Sequence, residues 1–410
     1  MGEYTEYLKN LRDEISPEDD NYTEELLQVV KSFRDFDEAL DNFLLKKGYA
    51  GDIHDTDEKV SYIKDKFKEA GISSPPRNLK KWFTEKKRIE KRKIAFQFCF
   101  AFHLNLEESE EFFRTVCLQR GFDCHYVEEA IYYYAISNHL SYGEAEELIE
   151  QAPEDTKGKI DFNGEVLFTA SIIKEINRFK SKEELLLFFR ENIEQFGYNN
   201  ATAYKYITDL WHKIDMPDGL AEKEKALMAL SGMQQTETNN KSRSVWNIYL
   251  QILGLDGCDE ADNSPLFVLD TDRTLKPFLK DNDLLHPLAE DSFPDRQGLE
   301  AILRGEHKSN ELVRKTMILL VFYKFWVKRI LRAGNCYAQA EPADAERCHA
   351  EINRYLLDAG YLALYAGNPY DWIFLFAMQD TYPLETFRGF MQELYINCNA
   401  LEKQGITIYN

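Results

Sequence analysis

The 410-residue chain carries 50 Lys and Arg against 71 Asp and Glu, a formal charge of −21. With 44% hydrophobic and 13% aromatic residues it can bury cores for two or three domains, which excludes an intrinsically disordered chain. Its acidity excludes a protein whose whole surface binds nucleic acid, because phosphate is repelled except where cations are gathered locally.

Residues 1–22 are polar, with Ser16-Pro17-Glu18-Asp19 as a helix start or turn. Leu26, Val30, Phe33, Phe36, Leu40 and Phe43 recur at helical spacing, and Gly48 marks a stop. Val60, Ile63 and Phe67 predict a further helix ending near Gly71. Ser74-Pro75 then reads as an N-cap followed by proline at the first helical position. The helix it opens is basic. From Arg77 to Lys93 there are nine Lys or Arg and two Glu, net +7, so the rest of the chain carries −28.

An apolar helix follows from about Lys91 to Phe102, then Phe112, Phe113, Val116 and Cys117 share one face, with Gly121 as the stop. Tyr126 to Ser137 reads as another helix, and Ser141-Tyr142-Gly143-Glu144 is a capping box that opens the next. Pro153 to Gly158 reads as a linker. Three helical patterns follow over Leu167–Phe179, Ser181–Phe196 and Asn200–Ile214, and Ser181 with Glu184 repeats the capping-box spacing. A polar stretch from Gln234 to Ser242 precedes the C-terminal part. Phe267-Val268-Leu269 is the one candidate strand.

The C-terminal part echoes the first. Pro294 to Leu303 parallels Pro75 to Phe83, and Arg314-Lys315 before an apolar run parallels Arg92-Lys93. Gly360-Tyr361 before the aromatic stretch Asp371 to Leu375 parallels Gly121-Phe122 before Ala130 to Tyr134. These echoes predict a diverged duplication, with Trp82 matching Ile302 and Ile131 matching Ile373. The expected architecture is all-α, a multi-helix bundle. It has an N-terminal unit over 1–151, a middle segment over 159–233 and a related C-terminal unit over 243–410.

The stretch Gly71-Ile72-Ser73, Trp82 and the helix ending Phe100-Ala101-Phe102 resembles the helix-turn-helix of the Cro/C1 repressor-like family, over about residues 58–104. The larger arrangement is similar to multi-helical proteins of Firmicutes described only as helix-turn-helix-like. In the Cro/C1 family the helix at the Trp82 position enters the major groove. The Gly71-to-Trp82 interval is longer than the family's, and Glu85 stands where a turn glycine is usual. The resemblance implies DNA as a partner. The residues themselves offer Arg77, Lys80, Lys81, Lys86, Lys87, Arg88 and Lys91 as phosphate contacts and Asn78 as a side chain able to reach a base edge. The competing expectation is a protein-interaction scaffold in which these cations are solvated helix faces paired with acidic neighbours. The second copy, Arg296 to Lys315, has five basic and three acidic residues and reads as non-binding.

Enzymatic and metal readings fare worse. Phe267 to Leu275 resembles the first motif of haloacid-dehalogenase-like phosphatases, with Asp270 as nucleophile and Asp272 as acid/base, but Arg273 replaces the turn glycine and no parallel strands accompany it. A polar loop with a helix cap is the better account. His103, Cys117, Cys124, His125 and the pair Cys348-His349 have no zinc spacing, so packing is expected. Seven irregularly spaced cysteines, an acidic N-terminus and no long apolar run predict a cytoplasmic, non-enzymatic protein without cofactor, metal or membrane span.

Overall fold

The computed structural model describes residues 36–85, 88–89, 91–155, 167–197, 200–230, 244–255, 293–294, 296–306, 308–389 and 391. The phosphatase-like stretch, Cys258, Cys398, Lys86 and Lys87 lie outside the described residues. The described residues are all-α, with no strand among them. No described helix is long and apolar enough to cross a membrane.

The chain divides into two compact units. Of the described residues, the N-terminal unit comprises those of Arg34–Thr202 with Leu356–Leu362, and the C-terminal unit those of Ala203–Tyr355 and Ala363–Asn410.

The N-terminal unit opens with α1 (Phe36–Lys46), α2 (Thr56–Glu69), α3 (Leu79–Thr84) and α4 (Arg92–Ala101). Helix α5 (Leu106–Phe112) runs into a π-helical turn, Phe113–Cys117. Then come α6 (Val127–Ser137), α7 (Tyr142–Gln151), α8 (Thr169–Ile176) and α9 (Lys182–Glu191). Their apolar faces meet in an aromatic core. Phe98 stacks on Phe102 and Phe112 with centroids 5.6 and 5.5 Å apart, and Phe67 meets Phe98 edge-on at 5.2 Å. Ile172, Ile176, Leu185 and Phe189 are buried in the same core, so α8 and α9 belong to this unit.

Local chemistry sets most helix ends. Ser141 accepts from the Glu144 amide while the Glu144 carboxylate accepts from the Ser141 amide, and Asn105 with Glu108 makes the same box at α5. Two ends differ from the sequence expectation. Helix α3 begins at Leu79, not at Pro75, because Pro76 disfavours helical backbone at the residue before it. The α5 rod stops at Leu118, which takes a left-handed φ of 48°, three residues before Gly121.

The C-terminal unit contains α10 (Ala201–Asp215, begun in the first unit), α11 (Leu220–Leu230), α12 (Val245–Leu253) and α13 (Arg296–Leu303). The 24-residue α14 (Asn310–Ala333) runs through its middle, buried from Val313 to Lys324, and α15 (Pro342–Asp358, its last turn in the first unit) and α16 (Pro369–Ala377) follow. The fully buried Glu224 carboxylate accepts from Gln251 Nε2 (2.8 Å) and the Tyr323 hydroxyl (2.7 Å) and lies 2.9 Å from Arg388 Nη1. A charge so deep is tolerated only with such partners. Trp82, Ile302, Ile131 and Ile373 are all buried.

Candidate nucleic-acid interface

The basic segment is built onto the N-terminal unit by three buried anchors. Ile72 follows Gly71, whose φ of 72° turns the chain off α2, and donates its amide to the Phe67 carbonyl at 2.9 Å. Leu79 and Trp82 then form the inner side of α3, with Trp82 packed against Phe36 (6.1 Å) and Phe98 (5.7 Å). Ile89 is the third, 2% exposed, with its carbonyl accepting from Gln119 Nε2. Between these anchors the polar residues must face outward.

Arg77, Asn78, Lys80, Lys81, Arg88 and Lys91 are exposed. Asn78 precedes α3 without capping it, which leaves its amide free of the helix. Lys80 Nζ lies 2.8 Å from Asp57 Oδ1, and Lys81 Nζ lies 3.2 Å from Glu85 Oε1. Arg77, Arg88 and Lys91 form no ion pair among the described residues.

The segment's last two cations are paired across the unit, Arg92 half-buried and Lys93 exposed. Arg92 forks onto Glu129, with Nε to Oε1 at 3.2 Å and Nη2 to Oε2 at 2.9 Å. It also donates to the carbonyls of Arg120 and Gly121, each at 2.8 Å, and lies over the rings of Phe96 and Phe113. Lys93 pairs with Glu146 at 2.8 Å. Burial opposes the charge on Lys93, but the hydrogen bond to Glu146 outweighs it and leaves the ammonium pKa raised. The sequence grouped nine cations; in the structure Arg92 holds the fold through Glu129 and two carbonyls, while Lys93 makes an exposed pair with Glu146.

The helix-turn-helix geometry differs from that of the resembled family. Nine residues, Ala70 to Asn78, separate α2 from α3, where the motif uses a turn of three or four. Helix α3 has six residues, roughly 9 Å at 1.5 Å per residue, too short to lie along a groove. Its Trp82 side is core.

Sequence reasoning missed a second polar cluster. Arg120 Nη1 donates to Asn200 Oδ1 (2.7 Å) and lies 2.7 Å from Asp123 Oδ2, while its guanidinium sits 4.8 Å above the Tyr361 ring. The Tyr361 hydroxyl donates to the same Asn200 oxygen at 2.6 Å. His125 Nε2 lies 2.7 Å from the Leu167 carbonyl, which can only accept, so in the neutral ring Nδ1 accepts from the Thr169 hydroxyl at 2.9 Å. Burial pushes the Asp123 carboxyl up, but the Arg120 guanidinium and the hydrogen bond from the His125 amide oppose it, and the pKa is held low. Arg120, Asp123, His125, Thr169, Asn200 and Tyr361 are each no more than 3% exposed, so their side chains are closed to solutes and tie Leu356–Leu362 into its unit. The signals were there in Cys124-His125 and Gly360-Tyr361, but nothing in the spacing links positions so far apart in sequence.

Cys99, Cys117, Cys124, Cys336 and Cys348 are free and buried, and no group of three His, Cys, Asp or Glu suited to a metal occurs among the described residues. No protein-family model matches the chain, and comparison with curated proteins and with solved structures finds no match.

Proposed function

We propose that the protein is a non-enzymatic, regulator-like protein that holds nucleic acid through backbone phosphates, using Arg77, Lys80, Lys81, Arg88 and Lys91. The observation that carries this reading is the exposure of these five cations around α3 in a chain that carries −28 outside residues 77–93. Buried anchors on both sides fix the segment, so the cations are presented without folding on binding. The shortness of α3 favours phosphate contact over groove reading, with Asn78 as the side chain placed for a base edge. The free thiols fit a reducing, cytoplasmic setting.

The test is a retardation assay on duplex DNA beside a melting curve. Reversing Lys80 and Lys81 to Glu weakens binding to all sequences alike and flattens the salt slope by about one to two. Asn78→Ala relaxes sequence preference with little loss of affinity. No binding at about 50 mM salt, where non-specific contacts are strong, overturns the reading. The second reading, a protein-interaction scaffold, is favoured by the Lys80–Asp57 and Lys81–Glu85 pairs. It expects reversal to lower the melting temperature with no nucleic-acid affinity to lose.

A further inference from the structure

We infer that Asp57 and Glu85 compete with phosphate from within the chain, occupying the two adjacent lysines of α3 and holding the surface partly closed. This rests on the phosphate-binding reading above and concerns its regulation.

Unlike the acids around it, Asp57, in the first turn of α2, accepts from no backbone amide among the described residues. Asp55 caps α2 by accepting from the Asp57 and Glu58 amides, Asp52 accepts from the His54 amide, and Glu58 accepts from the Asp52 amide. The Asp57 carboxylate instead meets Lys80, its one side-chain partner among the described residues, with 76% of the Asp57 side chain and 59% of the Lys80 side chain exposed. Lys81 and Glu85 are comparably open at 47% and 44%. Pairs this exposed add little to stability and exchange readily. Their larger effect falls on an incoming anion, which must displace a carboxylate from each ammonium and then bear its repulsion. A single phosphate gains little by that exchange. A polyanion that replaces both carboxylates together gains more, so the arrangement favours a continuous phosphodiester backbone over mononucleotides or inorganic phosphate.

The experiment measures duplex DNA affinity for the full chain and for Asp57→Asn, Glu85→Gln and the double variant, with and without Lys80→Gln. Asp57→Asn and Glu85→Gln each tighten binding about threefold at about 50 mM salt, and the gain shrinks as salt screens the carboxylates. Lys80→Gln abolishes the gain from Asp57→Asn and leaves that from Glu85→Gln. Asp57 also lies in the first turn of α2, where a carboxylate favours the helix, so melting curves accompany the series. Glu85→Gln carries the test if Asp57→Asn unfolds. Wild-type binding that neither substitution strengthens overturns the competition while the phosphate reading stands. A gain from Asp57→Asn that survives Lys80→Gln overturns it too, by showing only a general charge effect. Absence of binding by every variant overturns the phosphate reading and this inference together.

Discussion

In the N-terminal unit Arg92 forks onto Glu129, in the first turn of α6. In the C-terminal unit Arg314 forks onto Asp371, in the first turn of α16, with both bonds at 2.7 Å. Each carboxylate also accepts an amide from six residues upstream, Asp123 at 2.8 Å and Tyr365 at 2.9 Å. Eight residues beyond each arginine, Phe100 and Phe322 meet Tyr132 and Phe374 edge-on at 5.8 and 5.2 Å. Those partners stack in turn on Tyr142 and Phe387. What differs is where the helix begins. Helix α4 starts at Arg92 itself, so the cations before it lie in a surface segment. Helix α14 starts at Asn310 under a Ser309 cap, which carries Arg314 and Lys315 a turn inside. Lys315 is 8% exposed and lies over the Tyr370 ring, whereas Lys93 is exposed. The exposed Arg296 and Arg304 are each paired with glutamates. One clamp, shifted against its helix start, leaves the neighbouring cations exposed in one unit and buries Lys315 beside the clamp in the other.

The two clamps differ most in depth, the Arg314 pair lying deeper than the Arg92 pair. Arg314→Ala strands a carboxylate that is 1% exposed and costs about 4 kcal/mol by denaturant unfolding. Arg92→Ala costs less, about 2 kcal/mol, because its pair keeps 21% and 13% of its side chains exposed and water can replace part of the loss. Equal costs would show that the two clamps do not differ in this way. Next in size are Gly360→Ala and Gly254→Ala, one in each unit. Both glycines have positive φ, and a Cβ would lie 2.8 Å from Thr169 Cγ2 or 2.6 Å from the Arg388 side chain. Each substitution costs about 2 kcal/mol, and a change below about 0.5 kcal/mol would show that the site relaxes.

Smaller effects sharpen the picture. Ser141→Ala removes the α7 cap and costs about 1 kcal/mol. The same cap, by its backbone and hydroxyl hydrogen bonds and with Lys182, lowers the Glu144 pKa to about 2 from the ordinary 4.5. Because the folded value is the depressed one, the cap's contribution is full above pH 4.5 and is lost as pH falls toward 2. Carboxyl NMR titration reads it directly, and a midpoint near 4.5 would refute it. Smallest of all, Lys80→Gln changes stability by less than about 0.5 kcal/mol, since its pair is open to water.

Periodicity exposed the helices because each buries an apolar stripe that repeats every three or four residues, as Ile63 and Phe67 or Ile172 and Ile176 do. Caps were legible for the same local reason at Ser141 and Ser181, where acceptor and amide are three residues apart. The membership of α8 and α9 was not, since a linker composition does not say which core the next helix joins. Within the basic segment the sequence could count cations but not sort them. Arg92 is drawn inward by Glu129, 37 residues away, and Lys80 is met by Asp57, 23 residues before it. Pairings at that range depend on the packed fold, and no spacing rule encodes them.

The buried thiols give each unit its own clock. Cys99, Cys117 and Cys124 belong to the N-terminal unit, and burial pushes the Cys99 pKa up to about 12 and the other two well above the ordinary thiol value. Cys348 in the C-terminal unit is raised in the same way. A thiol held protonated and away from solvent does not react with an alkylating reagent until the surrounding helices separate. The modification rate of each cysteine, followed by mass spectrometry of its peptide, therefore times the opening of its own unit, and a difference between Cys99 and Cys348 would show the two units opening independently.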